Sequence, residues 1–301
     1  MLIKYKSTFG FNHIDLKGAK YLIGSAFAFS LMSACVKSLD GRLPITELVF
    51  SRALISLLIT RLTLSKKQIS PWGINKKLLI LRGIIGTGAL FCIFKSIELL
   101  PLAHSTIIQY TYPTITSIIA WVFLKEKVNK SIFISLLLGW LGIVFVIQPE
   151  WLFNTPNQLP ITSVVIALCG SILTSFAYLL VRKLSQSEHP LVIIHYFPLI
   201  SLPLTIPFIL YEGIMPKGIE WLTLIGIGIF TQIGQIGITK GLSLLPASRA
   251  TAINYTQVLF ASILGILIFS EQLNNYVIIG AIAILCATLI SVGTKQKLKR
   301  V

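Results

Sequence analysis

Acidic side chains are scarce in this chain: ten Asp and Glu stand among 301 residues, against 26 Lys and Arg. None of the ten falls near the middle of an apolar run. Charged residues of both signs make up only 12%, about half the share in a soluble domain. Long polar loops are also missing, the longest running to about a dozen residues, which leaves no room for a soluble regulatory domain. No GxxxxGK[ST] sequence occurs, so nucleotide hydrolysis at a P-loop is excluded. The four cysteines (Cys35, Cys92, Cys169, Cys286) form no CxxC or Cys/His spacing, so no disulfide framework and no metal site is expected. No nucleophile–base pair or acidic pair stands out either, and neither an enzyme nor a bound cofactor is expected.

What fills the chain instead is apolar sequence, 54% of all residues. It comes in long runs. SIFISLLLGWLGIVFVIQ (131–148) and NYVIIGAIAILCATLISVG (275–293) hold no charge and are about long enough to cross a bilayer core. Polar punctuation divides the chain into ten spans, 18–39, 46–64, 77–99, 102–124, 131–148, 160–182, 190–211, 219–243, 247–270 and 275–293. Lipid leaves backbone groups no outside partner, and these runs lack the alternating period of barrel strands, so the spans are expected to be helices. The expected fold is an all-α polytopic membrane protein.

A net charge of +16 would suit nucleic acid, but its placement argues against that partner. With the N-terminus inside, the inner segments of a ten-span arrangement hold about 21 Lys and Arg and the outer ones about 5. That asymmetry predicts both termini in the cytoplasm, with membrane lipid as the basic residues' other neighbour. The first 20 residues are polar and basic, without the apolar core and small-residue cleavage site of a signal peptide, so the first span is expected to direct insertion. A bacterial inner membrane is the expected location.

One phrase recurs. KSIELLPLAHSTIIQYTY begins at 95 and KGLSLLPASRATAINYTQ at 240, an offset of 145. At that offset Lys95 pairs with Lys240, Pro101 with Pro246, Thr106 with Thr251, Tyr110 with Tyr255, and Glu126 with Glu271. The earlier pair Lys37 and Arg182 also matches. Each copy holds five spans, an odd number, so the second enters the membrane from the opposite side. The loops agree: LKEKVNK after the fourth span is basic, whereas FSEQLNN after the ninth has no Lys or Arg. The expectation is ten transmembrane helices in two inverted five-helix repeats. The first covers 18–148 and the second 160–293, with a cytoplasmic segment at 1–17, a linker at 149–159 and a basic tail at 294–301. Such repeats typically hold a solute site near mid-membrane between the halves.

SIELLPLAHSTIIQYTYPTITSIIAWVFLKE, GLSLLPASRATAINYTQVLFASILGILIFSE and PITELVFSRAL (44–54) resemble the drug/metabolite transporter superfamily, in particular its tandem EamA-type permeases. The resemblance covers about 18–293 and implies a transporter. One departure stands out: the helix-breaking proline of the family's fourth span is present as Pro113, while its repeat mate is Val258. The second half is therefore expected to lack the matching kink.

Polar residues at mid-span are costly in lipid and usually face the bundle interior. Gln109, Tyr110 and Thr114 on the fourth span, Tyr178 on the sixth, Gln232 and Gln235 on the eighth, and Asn254, Tyr255 and Gln257 on the ninth are the candidate solute-binding residues. Hydroxyls at such positions serve equally well as glue between helices. Aromatic walls with amide donors suit a small amphipathic organic solute, such as an amino acid or a nucleoside-like compound, S-adenosylmethionine included. Lys95 and Lys240 are candidates for attracting charge at opposite mouths. Glu47 and Arg52 are expected to form a structural ion pair bracing the second span. With no mid-span carboxylate, facilitative or exchange transport is expected, in a monomer or weak homodimer. The alternatives are a proton-coupled exporter and a non-transporting membrane regulator.

Overall fold

The computed structural model describes residues 13–124, 130–147, 159–271 and 275–293. These form helices alone: α1 (His13–Ser38), α2 (Ile45–Lys66), α3 (Lys76–Leu99), α4 (Leu102–Gln109), α5 (Tyr112–Leu124), α6 (Lys130–Ile147), α7 (Ile161–Leu184), α8 (Pro190–Glu212), α9 (Glu220–Leu244), α10 (Ala247–Ile253), α11 (Thr256–Phe269) and α12 (Asn275–Gly293). Among the described residues seven stretches are long and apolar enough to cross a membrane, one of them α10 and α11 taken together.

Proline sets the two hairpins. The residue before a proline is barred from the α region. Leu100 accordingly ends α3 in extended backbone at φ −124°, ψ 157°, and Leu245 ends α9 at φ −120°, ψ 152°. Pro101 and Pro246 then open α4 and α10 with nearly equal angles, φ −54° and −55°. The chain turns back at once in both halves.

Each returning span is broken about two turns in. The first stops at Gln109 and resumes at Tyr112; the second stops at Ile253 and resumes at Thr256. The expectation that the second half stays straight is therefore overturned. In the first half Pro113 supplies no N–H to the ladder. In the second half a tightening of the backbone does the same work, with Tyr255 N–H donating to Ala252 O, Gln257 N–H to Asn254 O and Val258 N–H to Tyr255 O, each three residues back. Bonds of that 3₁₀ type narrow the turn and interrupt an α-helix without proline.

The helices pack as a pair of interchanged halves. Helix α1 lies along α9, and its counterpart α7 lies along α3, the counterpart of α9. Helices α2 and α8 pack on each other, as do α6 and α12. This pattern maps onto itself when the halves are swapped, as expected of halves related by a pseudo-two-fold axis. The α1–α9 seam is close because α9 offers glycines: a Cβ at Gly237 would lie 2.6 Å from the Tyr21 carbonyl oxygen, and one at Gly241 2.4 Å from Leu22. Small residues let membrane helices approach in this way.

The matched cations Lys37 and Arg182 do matched jobs. Lys37 Nζ donates to Leu100 O at 2.9 Å, at the end of α3, and Arg182 Nη1 donates to Leu242 O at 2.8 Å, at the end of α9. A cation at a helix C-terminus satisfies the last carbonyls and the negative end of the dipole.

Candidate functional site

The two breaks bring the ends of short helices to the middle of the bundle. There a cavity of about 70 Å³ is lined by Phe29, Met32 and Ser33 of α1, Arg52 of α2, Leu90 and Ile93 of α3, Gln109 of α4, Tyr110 in the first break, Tyr112 of α5, Thr174 and Tyr178 of α7, Gln235 of α9 and Gln257 of α11. A second cavity, of about 50 Å³, shares Arg52, Leu90, Ile93, Tyr178 and Gln235 and adds Arg82 and Phe197. The shared walls make them two lobes of one chamber. Each lobe has room for a few waters only. A metabolite needs several times that space.

Tyrosine rings cross the chamber in a chain. The ring of Tyr110 lies 5.0 Å from Tyr112 and 5.9 Å from Tyr255, and Tyr112 lies 5.3 Å from Tyr178, centroid to centroid. Tyr110 Oη donates to Gln257 Oε1 at 2.6 Å, joining the two broken spans. Gln109 Nε2 donates to Ser96 Oγ at 2.7 Å, which turns its amide along α3.

Two arginines meet these neutral groups. Arg52 is 4% exposed and Arg82 2% exposed. Both guanidinium carbons stand over the Phe197 ring, at 4.9 Å and 5.1 Å from its centre, and Arg52 also lies 5.8 Å from the Phe94 ring. Arg82 Nη2 donates to Gln235 Oε1 at 3.3 Å. Among the described residues no carboxylate comes within ion-pair distance of either.

The expected Glu47–Arg52 ion pair does not form. Residues five apart sit about 140° apart around a helix, on different faces. Glu47 instead accepts the Ile214 backbone N–H at 3.2 Å, while Arg52 turns inward to the aromatic rings.

Of the candidate residues, Gln109, Tyr110, Tyr178, Gln235 and Gln257 come together in the chamber. The others do not line it, Tyr255 reaching it only through its ring contact with Tyr110. Gln232 is bound at its Oε1 by Ser56 Oγ at 2.5 Å, between α9 and α2. Tyr255 is fully buried against α6, where a Cβ on Gly139 would meet its Oη at 2.7 Å. Asn254 is 1% exposed at the second break. Thr114 lines a separate apolar groove between α5 and α6, beside exposed Trp121, Phe133 and Trp140. Lys95 is paired with Glu98 at 2.7 Å, and Lys240 stands 5.0 Å from the Tyr21 ring centre, both away from the chamber.

Among the chamber residues that sequence reasoning missed are Tyr112 and Arg82. Tyr112 sits beside Tyr110 in QYTYP and carried a signal of its own. Arg82, in KKLLILRG, looks like the tail of an interfacial basic cluster. Its helix begins at Lys76, however, which puts Arg82 about 9 Å along the axis and among buried residues.

An all-helical, apolar bundle with discontinuous spans around a central polar chamber defines an integral membrane transporter of the solute-carrier kind. The family model described as the EamA-like transporter family matches residues 16–148 and again 161–293, and the chain belongs to that family, within the drug/metabolite transporter superfamily. It is 26% identical over 280 residues to the pseudopaline exporter CntI of Pseudomonas aeruginosa, covering 93% of this chain and 97% of that one. It is 28% identical over 283 residues to solute carrier family 35 member G1 of Mus musculus, covering 90% and 77%. A solved crystal structure shares the fold with a TM-score of 0.72 at 18% identity, covering 89% of this chain and 94% of that one.

Proposed function

We propose that this transporter moves a small amphipathic organic metabolite, amino-acid-like or nucleoside-like, across a bacterial inner membrane by alternating access, as a facilitator or exchanger with both termini cytoplasmic. The observation that carries the reading is the chamber formed where the broken spans of both repeats meet. Broken helices expose backbone and side-chain polar groups at depth, which membrane proteins tolerate where they are buried in protein or line an aqueous cavity. Gln109, Tyr110, Tyr178, Gln235 and Gln257 present amides, hydroxyls and aromatic faces to whatever enters. The interchange symmetry supplies the motion, because swapping the conformations of the two halves closes one mouth and opens the other. The excess of Lys and Arg on one side supports the stated orientation.

Reconstituted into proteoliposomes, the protein should show saturable uptake with counterflow of its solute, which a pore does not. Tyr110→Ala should lower the rate at least tenfold while the protein still inserts and remains folded. Unsaturable conductance in the wild type, or normal uptake in Tyr110→Ala, would overturn this assignment.

A further inference from the structure

We infer that the chamber recognises a solute of net negative charge through a carboxylate or phosphate held by Arg52 and Arg82; the inference rests on the carrier reading above. Both side chains are more than nine-tenths buried, and they converge on one aromatic ring from different helices. Each lies about 10 Å along its helix, too deep for the surrounding water to neutralise it easily. The acidic residues that have a described partner are all engaged elsewhere. Asp15 pairs with Arg249, Glu98 with Lys95, and Glu220 with Arg42. Glu47, Glu188 and Glu271 accept backbone N–H groups of Ile214, of Ile74 and Asn75, and of Leu102. The exposed Asp40 and Glu212 lie in a turn and at a helix end.

The chamber thus holds two like charges and no counter-charge among the described residues. Removing charges from water costs several kcal/mol each unless an opposite charge compensates. Hydrogen bonds to the protein do not meet the need. Arg52 Nε and Arg82 Nε and Nη1 are buried without an acceptor, while Gln235 takes only one Arg82 donor. Both guanidinium groups lie over the Phe197 ring, and the paired N–H donors of a guanidinium match the two oxygens of a carboxylate or phosphate. The tyrosine-lined lobe next to them takes the solute's neutral part. A cation such as S-adenosylmethionine would add a like charge and is disfavoured by the same arithmetic.

The test uses the purified full chain. Thermal shift is measured with citrate and succinate as carboxylates, uridine monophosphate as the phosphate, and succinamide, uridine and putrescine as neutral or cationic partners. Stabilisation by the anions alone is expected, and the arm that responds tells carboxylate from phosphate. Arg52→Gln and Arg82→Gln should each weaken that binding at least about thirtyfold, and Arg82→Lys should recover part of it. Succinate against succinamide on the wild type decides the matter even if a variant fails to fold. Stabilisation by succinamide, uridine or putrescine in preference to the anions would overturn the inference. So would an anion effect that survives both Gln variants, or no response to any carboxylate or phosphate. Proteoliposome counterflow separates the two levels: saturable exchange of a neutral or cationic solute removes the anion subsite and leaves the carrier, whereas unsaturable leak removes the carrier itself.

Discussion

Tyr110 and Gly139 show how differently two residues near one chamber are constrained. Tyr110 gives its hydroxyl hydrogen to Gln257 Oε1 at 2.6 Å across the two broken spans. Tyr110→Phe leaves a largely buried amide oxygen without that donor, a loss of about 1–3 kcal/mol, and should lower the melting temperature. Gly139 has no side chain because the Tyr255 ring occupies that space, with Cζ 2.6 Å from where a Cβ would sit. Gly139→Ala overpacks the contact and should cost about 1–3 kcal/mol, while the KM for transport stays unchanged. A raised KM with unaltered stability in Gly139→Ala would place that contact in the site rather than the packing. At this scale the sequence was legible only where spacing decides geometry. Tyr110, Gln109 and Gln257 follow from polar residues at mid-span. The Glu47–Arg52 pair fails on helix angle alone, and the depth of Arg82 depends on where α3 begins.

The broken spans are held by contacts that cross between repeats. Glu271, at the end of the second repeat's broken span, accepts the Leu102 N–H at 2.7 Å and so caps the start of α4 in the first. A carboxylate there also meets the positive end of the helix dipole. Glu271→Ala removes both and should cost about 1–2 kcal/mol, read as a lower melting temperature and faster amide exchange over 102–109. Glu271→Gln, which keeps an acceptor, should lose less. Equal losses in the two variants would show that charge, not the hydrogen bond, holds α4. Glu271 thus acts as a cap, while its repeat mate Glu126 lies outside the described residues. The hairpins were legible because Leu-Pro forces an extended residue in both halves. The second break was not, because its tightened turn is a backbone arrangement with no proline to announce it.

At the scale of the molecule, the question is what drives net flux. Proton coupling needs a group in the transport path that changes charge near neutral pH. Among the described residues no carboxylate or imidazole lines the chamber, whose titratable groups are arginines and tyrosines. His195, 4% exposed, lies within hydrogen-bond distance of Thr60 Oγ1, 3.3 Å from its Nδ1, two residues before Phe197 and so on roughly the opposite face of α8. Collapsing a pH gradient across proteoliposomes should therefore leave the initial rate of uptake unchanged. An anion crossing alone moves charge, so a potassium diffusion potential set with valinomycin should instead shift net flux in the direction of its sign. Accumulation driven by an imposed pH gradient at zero potential would show that a proton moves with the solute and would return His195 to the transport path.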